Sequence, residues 1–235
     1  MNNTNNESAR QSYLRAKQFF MNAWLPSFNG DIEKCQNYID SLKFSQTEIR
    51  LEVGLTTNAT QFKFALTGNQ QNSSGLVFLT ENRLDLQDSF ICNEYGVFVA
   101  QTSGQNDTAF KLRTYGNLDT FAAADAAALD STFYSNGALR ILCNKDVIMP
   151  YRGLFNHWYK PQTQQTAALG VGSPDDQIRG AEDGMITCEP NILLIGSKGY
   201  DISIDLKTNL ASAAANLRAV IIFRGILAQN STPVS

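Results

Sequence analysis

Histidine is all but missing from this chain: His157 is the sole one among 235 residues. A single imidazole excludes HExxH and any other two-histidine metal site. A Ser–His or Cys–His pair would still need a recognisable nucleophile, and no GxSxG elbow is present. His157 stands among aromatic neighbours, in Phe155-Asn156-His157-Trp158-Tyr159, and reads as a packing residue. Phosphate loops are missing too. No GxGxxG leads from a strand into a helix, and Gly196-Ser197-Lys198-Gly199 lacks the GxxxxGK[ST] spacing and reads as a hairpin turn. Closely spaced cysteines are absent: Cys35, Cys92, Cys143 and Cys188 form no CxxC, which excludes a zinc knuckle or a thioredoxin-like motif. Each sits among apolar neighbours and reads as a buried, reduced thiol.

Charge is scarce. Asp, Glu, Lys and Arg make up 17% of the chain, against roughly 25% in ordinary globular proteins, and the net charge is −3. That excludes a global grip on nucleic acid, which needs a basic surface. The acidic residues Asp175, Asp176, Glu182 and Asp183 match no EF-hand spacing and read as a solvated loop. No apolar run reaches the roughly 18–20 residues of a membrane span. Met1–Asn6 has neither a basic start nor an apolar h-region, so synthesis without export by the usual route is expected. With none of the usual machinery in view, the expectation is a protein that is not an enzyme and carries no cofactor or metal.

What is present is neutral polarity and β-periodicity. Asn, Gln, Ser and Thr crowd the loops, as in Asn69–Ser74 and Gln162–Thr166. Such surfaces suit proteins that pack against copies of themselves, and also secreted sugar binders. The opening third is helical: Tyr13, Ala16, Phe20, Ala23 and Trp24 follow a spacing near 3.6 over Ser8–Leu25, and Asp31 is placed to cap a second helix bearing Ile32, Cys35, Tyr38, Ile39 and Leu42. From Thr47 the period is two. Ile49, Leu51, Val53 and Leu55 alternate with Glu48, Arg50 and Glu52. Further strands are expected over Gln61–Leu66, Leu76–Thr80, Phe90–Asn93, Gly96–Thr102, Ala109–Tyr115, Ala138–Cys143, Met185–Cys188, Asn191–Ile195 and Tyr200–Leu206, with Val147–Tyr151 extended.

Two alanine-rich segments punctuate these strands, Phe121–Phe133 and Asn209–Asn216. Each precedes a strand that begins with a Leu-Arg pair, Leu139-Arg140 and Leu217-Arg218. They lie about 80 residues apart and suggest a duplicated module, strands followed by a short helix and a strand. Alanine has the best helix propensity and allows close approach to a sheet end, so both segments are expected to be helical and structural.

This constellation resembles the double jelly-roll major capsid proteins of tailless icosahedral phages that enclose a membrane. The Asn-rich start and the apolar stretch Leu217–Leu227 look like those of the small single-stranded DNA phages of Bacteroidetes hosts. The resemblance implies a mainly β fold of two compact tandem jelly-roll barrels with an N-terminal helical arm: an arm over 1–44, a first barrel over 45–147 and a second over 148–235. One larger jelly-roll sandwich with the same arm is the alternative. It further implies a major capsid protein of the virion, assembled in the host cytoplasm as pseudo-hexameric homotrimers, with neighbouring capsomers and other virion proteins as partners and no specific nucleic acid recognition. A single jelly-roll minor capsid or penton protein, or a carbohydrate- or receptor-binding sandwich using the aromatics around Trp158-Tyr159, are the rival readings. In the arm, the cations Arg10, Arg15 and Lys17 beside the aromatics Tyr13, Phe19, Phe20 and Trp24 have the composition of an interfacial helix that meets an internal lipid membrane or the inner shell surface. The same helix packed on a barrel remains open.

Overall fold

The spacing of Ala16, Phe20 and Trp24 becomes the buried face of helix α1 (Asn3–Trp24). The protein is seen in a computed structural model that describes residues 3–102, 104, 107–109, 111–114, 118, 121–154 and 184–231; of residues 3–10 and 12 the backbone alone is described. A 3-10 turn over Leu25–Phe28, opened by Pro26, ends in left-handed Asn29 and Gly30. Helix α2 (Ile32–Ser41) then starts where expected, with the Asp31 Oδ1 accepting from the Lys34 N–H at 3.1 Å. Cys35 and Ile39 are its buried residues, whereas Ile32 is exposed.

Eight strands follow: β1 (Lys43–Gly54), β2 (Gln61–Phe64), β3 (Ser89–Gln101), β4 (Gly137–Cys143), β5 (Asp146–Gly153), β6 (Met185–Ile195), β7 (Tyr200–Leu206) and β8 (Leu217–Gln229). They form two four-stranded antiparallel sheets, ordered β1-β8-β3-β6 and β2-β7-β4-β5. The pairing is nested: β1 with β8, β2 with β7, β3 with β6, β4 with β5. Leu51, Val53, Val97, Ile221 and Phe223 from the first sheet share one core with Phe62, Phe64, Leu139, Ile141, Ile202 and Ile204 from the second. Side chains alternate across each strand, so the inner face of each sheet fills this core.

This pairing corrects the two-barrel division. Strands from 45–147 and from 148–235 are hydrogen-bonded to one another in both sheets, so the described strands belong to one sandwich, and the boundary at 147/148 falls inside β5. The alanine segments explain the misreading. The first is a short helix, α3 (Ala123–Ala128), continued by a π-helical turn over Leu129–Tyr134, and it is held by Ala128, Leu129 and Phe133 in the core. The second is not a helix; residues 209–216 are irregular. The two meet at the same end of the sandwich, where the Ser212 hydroxyl donates to the buried Asp125 carboxylate at 2.8 Å and Ala126, Ala213 and Ala214 pack on the shared core. Small side chains permit that approach. Replacing Ser212 by alanine is expected to cost about 1–3 kcal/mol, read in urea unfolding, because it strips a donor from a buried carboxylate.

The Leu-Arg pairs are likewise unequal. Arg218 is buried against Glu52, while Arg140 lies on the second sheet, 3.7 Å from Asp205 and 5.0 Å from the Tyr151 ring. Other strand boundaries shift. The two expected strands at 90–102 are one strand, β3, with its register broken between Cys92 and Glu94. At that break the β8 residue is Gly225, where a Cβ would collide with the Ile91 carbonyl oxygen. The two expected strands at 185–195 are also one, β6. Leu76–Thr80 is not a strand, and among the described residues of 109–115 only Arg113 bridges, to Val99. Gly196–Gly199 is a turn, but it carries the chain from one sheet to the other instead of closing a hairpin within one.

The sheet edges are treated differently on the two sides. Segment 65–88 covers the first side: Asn82 exchanges backbone hydrogen bonds with Arg50 of β1 at 2.8 and 2.9 Å, and on β2 the Ser73 N–H donates to the Lys63 carbonyl while the Ser73 hydroxyl accepts from the Lys63 N–H. On the other side β5 carries Pro150 and β6 carries Pro190, residues with no N–H to offer an incoming strand.

Candidate functional site: the helical arm and the groove beside it

The arm lies on the outer face of the first sheet. Ala16, Phe20, Trp24, Cys35 and Ile39 pack there on Ile91, Ile195, Ile226 and Ala228. Successive residues of β3, β6 and β8 point to opposite faces, so these strands are apolar on both, and the arm covers what would otherwise be a bare patch. Residue Phe44 bridges arm and sheet, edge-on to Tyr13 at 5.6 Å and tilted against Phe20 at 5.4 Å.

The seven arm residues singled out from the sequence therefore do not share a face. Phe20 and Trp24 are buried under α1 and belong to the fold. Phe19 is half-buried at its flank. Tyr13 and Arg15 are exposed, and the side chain of Arg10 lies outside the described residues. Lys17 ties the two helices together: its Nζ is 2.6 Å from Asp40 Oδ1 and 5.1 Å above the Tyr13 ring. The hydrogen bond to Asp40 holds the Lys17 ammonium above its ordinary range. This is the arrangement of a helix docked on its own sandwich. A lipid surface would meet Tyr13, Leu14 and Arg15, not the buried aromatics.

Beside the arm two clefts of about 370 and 380 Å³ adjoin, sharing Phe19, Thr187 and Asn191 in their walls. The first runs between Arg15 and Phe19 of the arm and Asn93, Glu94 and Ile226 of the sheet. The second opens between the edge strands β5 and β6, past Tyr95, Met149, Pro150, Arg152 and Cys188. The groove exists because β3 and β6 fall out of register here. Burial raises the Tyr95 phenol, opposed by the Arg152 guanidinium. Two guanidinium groups (Arg15 and Arg152), two carboxylates (Glu94 and Glu189) and the amides of Asn93 and Asn191 can hold polar contacts along the groove. Among the described residues no three side chains gather as a metal site. No family model and no curated protein matches this chain.

His157, Trp158-Tyr159 and the acidic residues Asp175, Asp176, Glu182 and Asp183 lie outside the described residues. What sequence reasoning missed is the pairing of distant residues. Cys92 with Cys188 and Glu52 with Arg218 are separated by most of the sandwich in sequence, and no spacing signals either pair. A charged residue inside an apolar strand, Arg218 in Leu217–Leu227, was the available hint of the second.

Proposed function

We propose that this chain is a structural subunit of a virion, a single jelly-roll capsid protein of the minor or penton kind. The observation that carries the reading is the nested pairing of eight strands into two facing four-stranded sheets, the order in which a jelly roll is wound. Three further features support it. The space between the sheets is filled by Phe, Ile, Leu and Val side chains, so activity is left to the outer surface and loop ends. The outer face of the first sheet is covered by the arm, and one pair of edges by segment 65–88, which suits a subunit that must meet its neighbours in one defined way. The surface is rich in neutral polar groups, which make modest contacts that symmetry multiplies.

One sandwich per chain places three, not six, around a threefold axis, so the pseudo-hexameric trimer is not part of this proposal. A closed cyclic ring of identical subunits, as at a capsid vertex, fits a single sandwich better. The partners are then copies of the chain and other virion proteins, with assembly in the host cytoplasm. Native mass spectrometry and negative-stain imaging of the full-length protein test this. Closed rings or shells with one stoichiometry are expected. A monomer at every concentration up to the solubility limit overturns the reading. A second reading, a carbohydrate- or receptor-binding sandwich, rests on Tyr151, an exposed ring on β5 backed by Arg140. It predicts that Tyr151→Ala abolishes glycan binding and leaves the oligomeric state unchanged.

A further inference from the structure

Cys92 and Cys188 are 96 positions apart in sequence, yet their Sγ atoms lie 3.6 Å apart. The sheet brings them together through an irregularity, not through ordinary pairing. β3 and β6 are in register on both sides of it, with Glu94 opposite Thr187 and Cys92 opposite Ile192. Between those pairs the single residue Asn93 faces the four residues Cys188–Asn191. The slack in β6 lets Cys188 turn inward onto Cys92. Cys92 is fully buried, while Cys188 is 5% exposed and lines the cleft between β5 and β6. Of the two, Cys188 is therefore the one that borders a cleft.

We propose that Cys92 and Cys188 form an oxidisable pair that hydrogen peroxide converts to an intrachain disulfide, stapling β3 to β6 beside the groove. The surroundings divide the labour between the two sulfurs. Cys188 is held below the ordinary thiol range by its hydrogen bond with Cys92 and by the nearby Arg152 charge, against burial and Glu94; Cys92 is pushed above it by the same contact and by burial. Cys188, the member of the pair that borders the cleft, is the attacking thiolate. It displaces hydroxide from peroxide and becomes a sulfenic acid, the hydroxide taking up the proton that Cys188 released, to leave water. The Cys92 thiol then attacks the Cys188 sulfur. The S–S bond forms, the S–O bond breaks, and the departing hydroxide takes the Cys92 proton as a second water. Two thiols lose two electrons in total and one peroxide gains them. The two remaining cysteines, Cys35 and Cys143, are buried elsewhere, and burial raises Cys35.

The test uses the full, reduced chain, treated with peroxide, unfolded, alkylated and mapped without reductant. Two of the four thiols are expected to vanish, the mass to fall by two hydrogen atoms, and one peptide pair to carry Cys92 linked to Cys188. The Cys92→Ser chain is expected to stop at the sulfenic acid, which dimedone labels on Cys188. Four alkylated cysteines after treatment, or a crosslink involving Cys35 or Cys143 instead, overturns the proposal. The map on the unmutated chain decides the matter even if the serine variant does not fold.

Discussion

Replacing Arg218 by alanine is expected to destabilise the protein by about 3–5 kcal/mol, the usual effect of removing one member of a buried ion pair. Arg218 is 1% exposed and Glu52 is fully buried, and their Nη1 and Oε2 atoms are 3.1 Å apart. The guanidinium also lies 4.2 Å from the centre of the Phe78 ring and donates to the Gly104 carbonyl at 3.4 Å. Glu52 is held from other directions. Its Oε1 accepts from Arg50 Nε at 2.8 Å and from the Thr80 hydroxyl, and its backbone N–H donates to Glu81, which in turn is paired with Arg83 at 2.9 Å. β1, β8 and segment 65–88 are joined at this one point. The alanine variant leaves the buried Glu52 Oε2 without its partner and also removes the ring contact that seats Phe78. Urea unfolding should show a lower midpoint with little change in slope. Replacing both partners, Glu52→Gln with Arg218→Met, should restore most of the loss, because the cost of burying charge disappears with the charge. A loss below about 1 kcal/mol in the single variant would show that Arg50 alone satisfies Glu52.

Truncating Phe20 to alanine is the second large effect, with an expected cost of about 3–5 kcal/mol at a fully buried aromatic. Phe20 is completely inaccessible between α1 and the first sheet and touches Phe44. The way this cost is expressed depends on how firmly the arm is docked. If arm and sandwich unfold together, the whole cost is read in global stability. If the arm lifts off first, the loss seen globally stops at the free energy of docking, and the rest is read as arm opening. Limited proteolysis at the turn Asn29-Gly30 separates the two, since cleavage there follows the opened population. Opening would bare Ile91, Ile195, Ile226 and Ala228, so the variant is expected to self-associate through that patch. A variant as stable and as protease-resistant as the parent would mean that Phe20 contributes no net packing.

Local chemistry made much of this legible. Strand β7 matches its expected bounds because Ile202, Ile204 and Leu206 alternate with polar residues and Gly199 breaks the chain before it. Asp31 marks α2 because a carboxylate there satisfies a free N–H. Leu76–Thr80 shows the limit of periodicity. Phe78 points in while Val77 and Leu79 are 74% and 78% exposed, as on a strand, but no neighbouring strand completes a ladder. The run at 209–216 had helix propensity without enough length or an apolar stripe to nucleate a helix. The spacing in the arm shows an amphipathic helix and leaves open which surface it covers, because Phe20 and Trp24 suit a lipid boundary and a second apolar sheet face equally well. The barrel count failed for a related reason. Periodicity reports which face of a strand is buried and carries no information about which strand lies beside it.

That pairing has a consequence for biosynthesis. β1 lies against β8 along its whole length, Lys43 opposite Gln229 and Gly54 opposite Arg218. Strand β1 leaves the ribosome well before β8, the strand it is paired with in the sheet. The backbone ladder of Ile49, Leu51 and Val53 must wait while nearly all of the intervening chain is made. Folding is then dominated by contacts between distant residues, which is slow and leaves nascent chains prone to aggregate. Molecules cut short before residue 217 are expected to be held by chaperones or degraded, never to accumulate as a half-built sandwich.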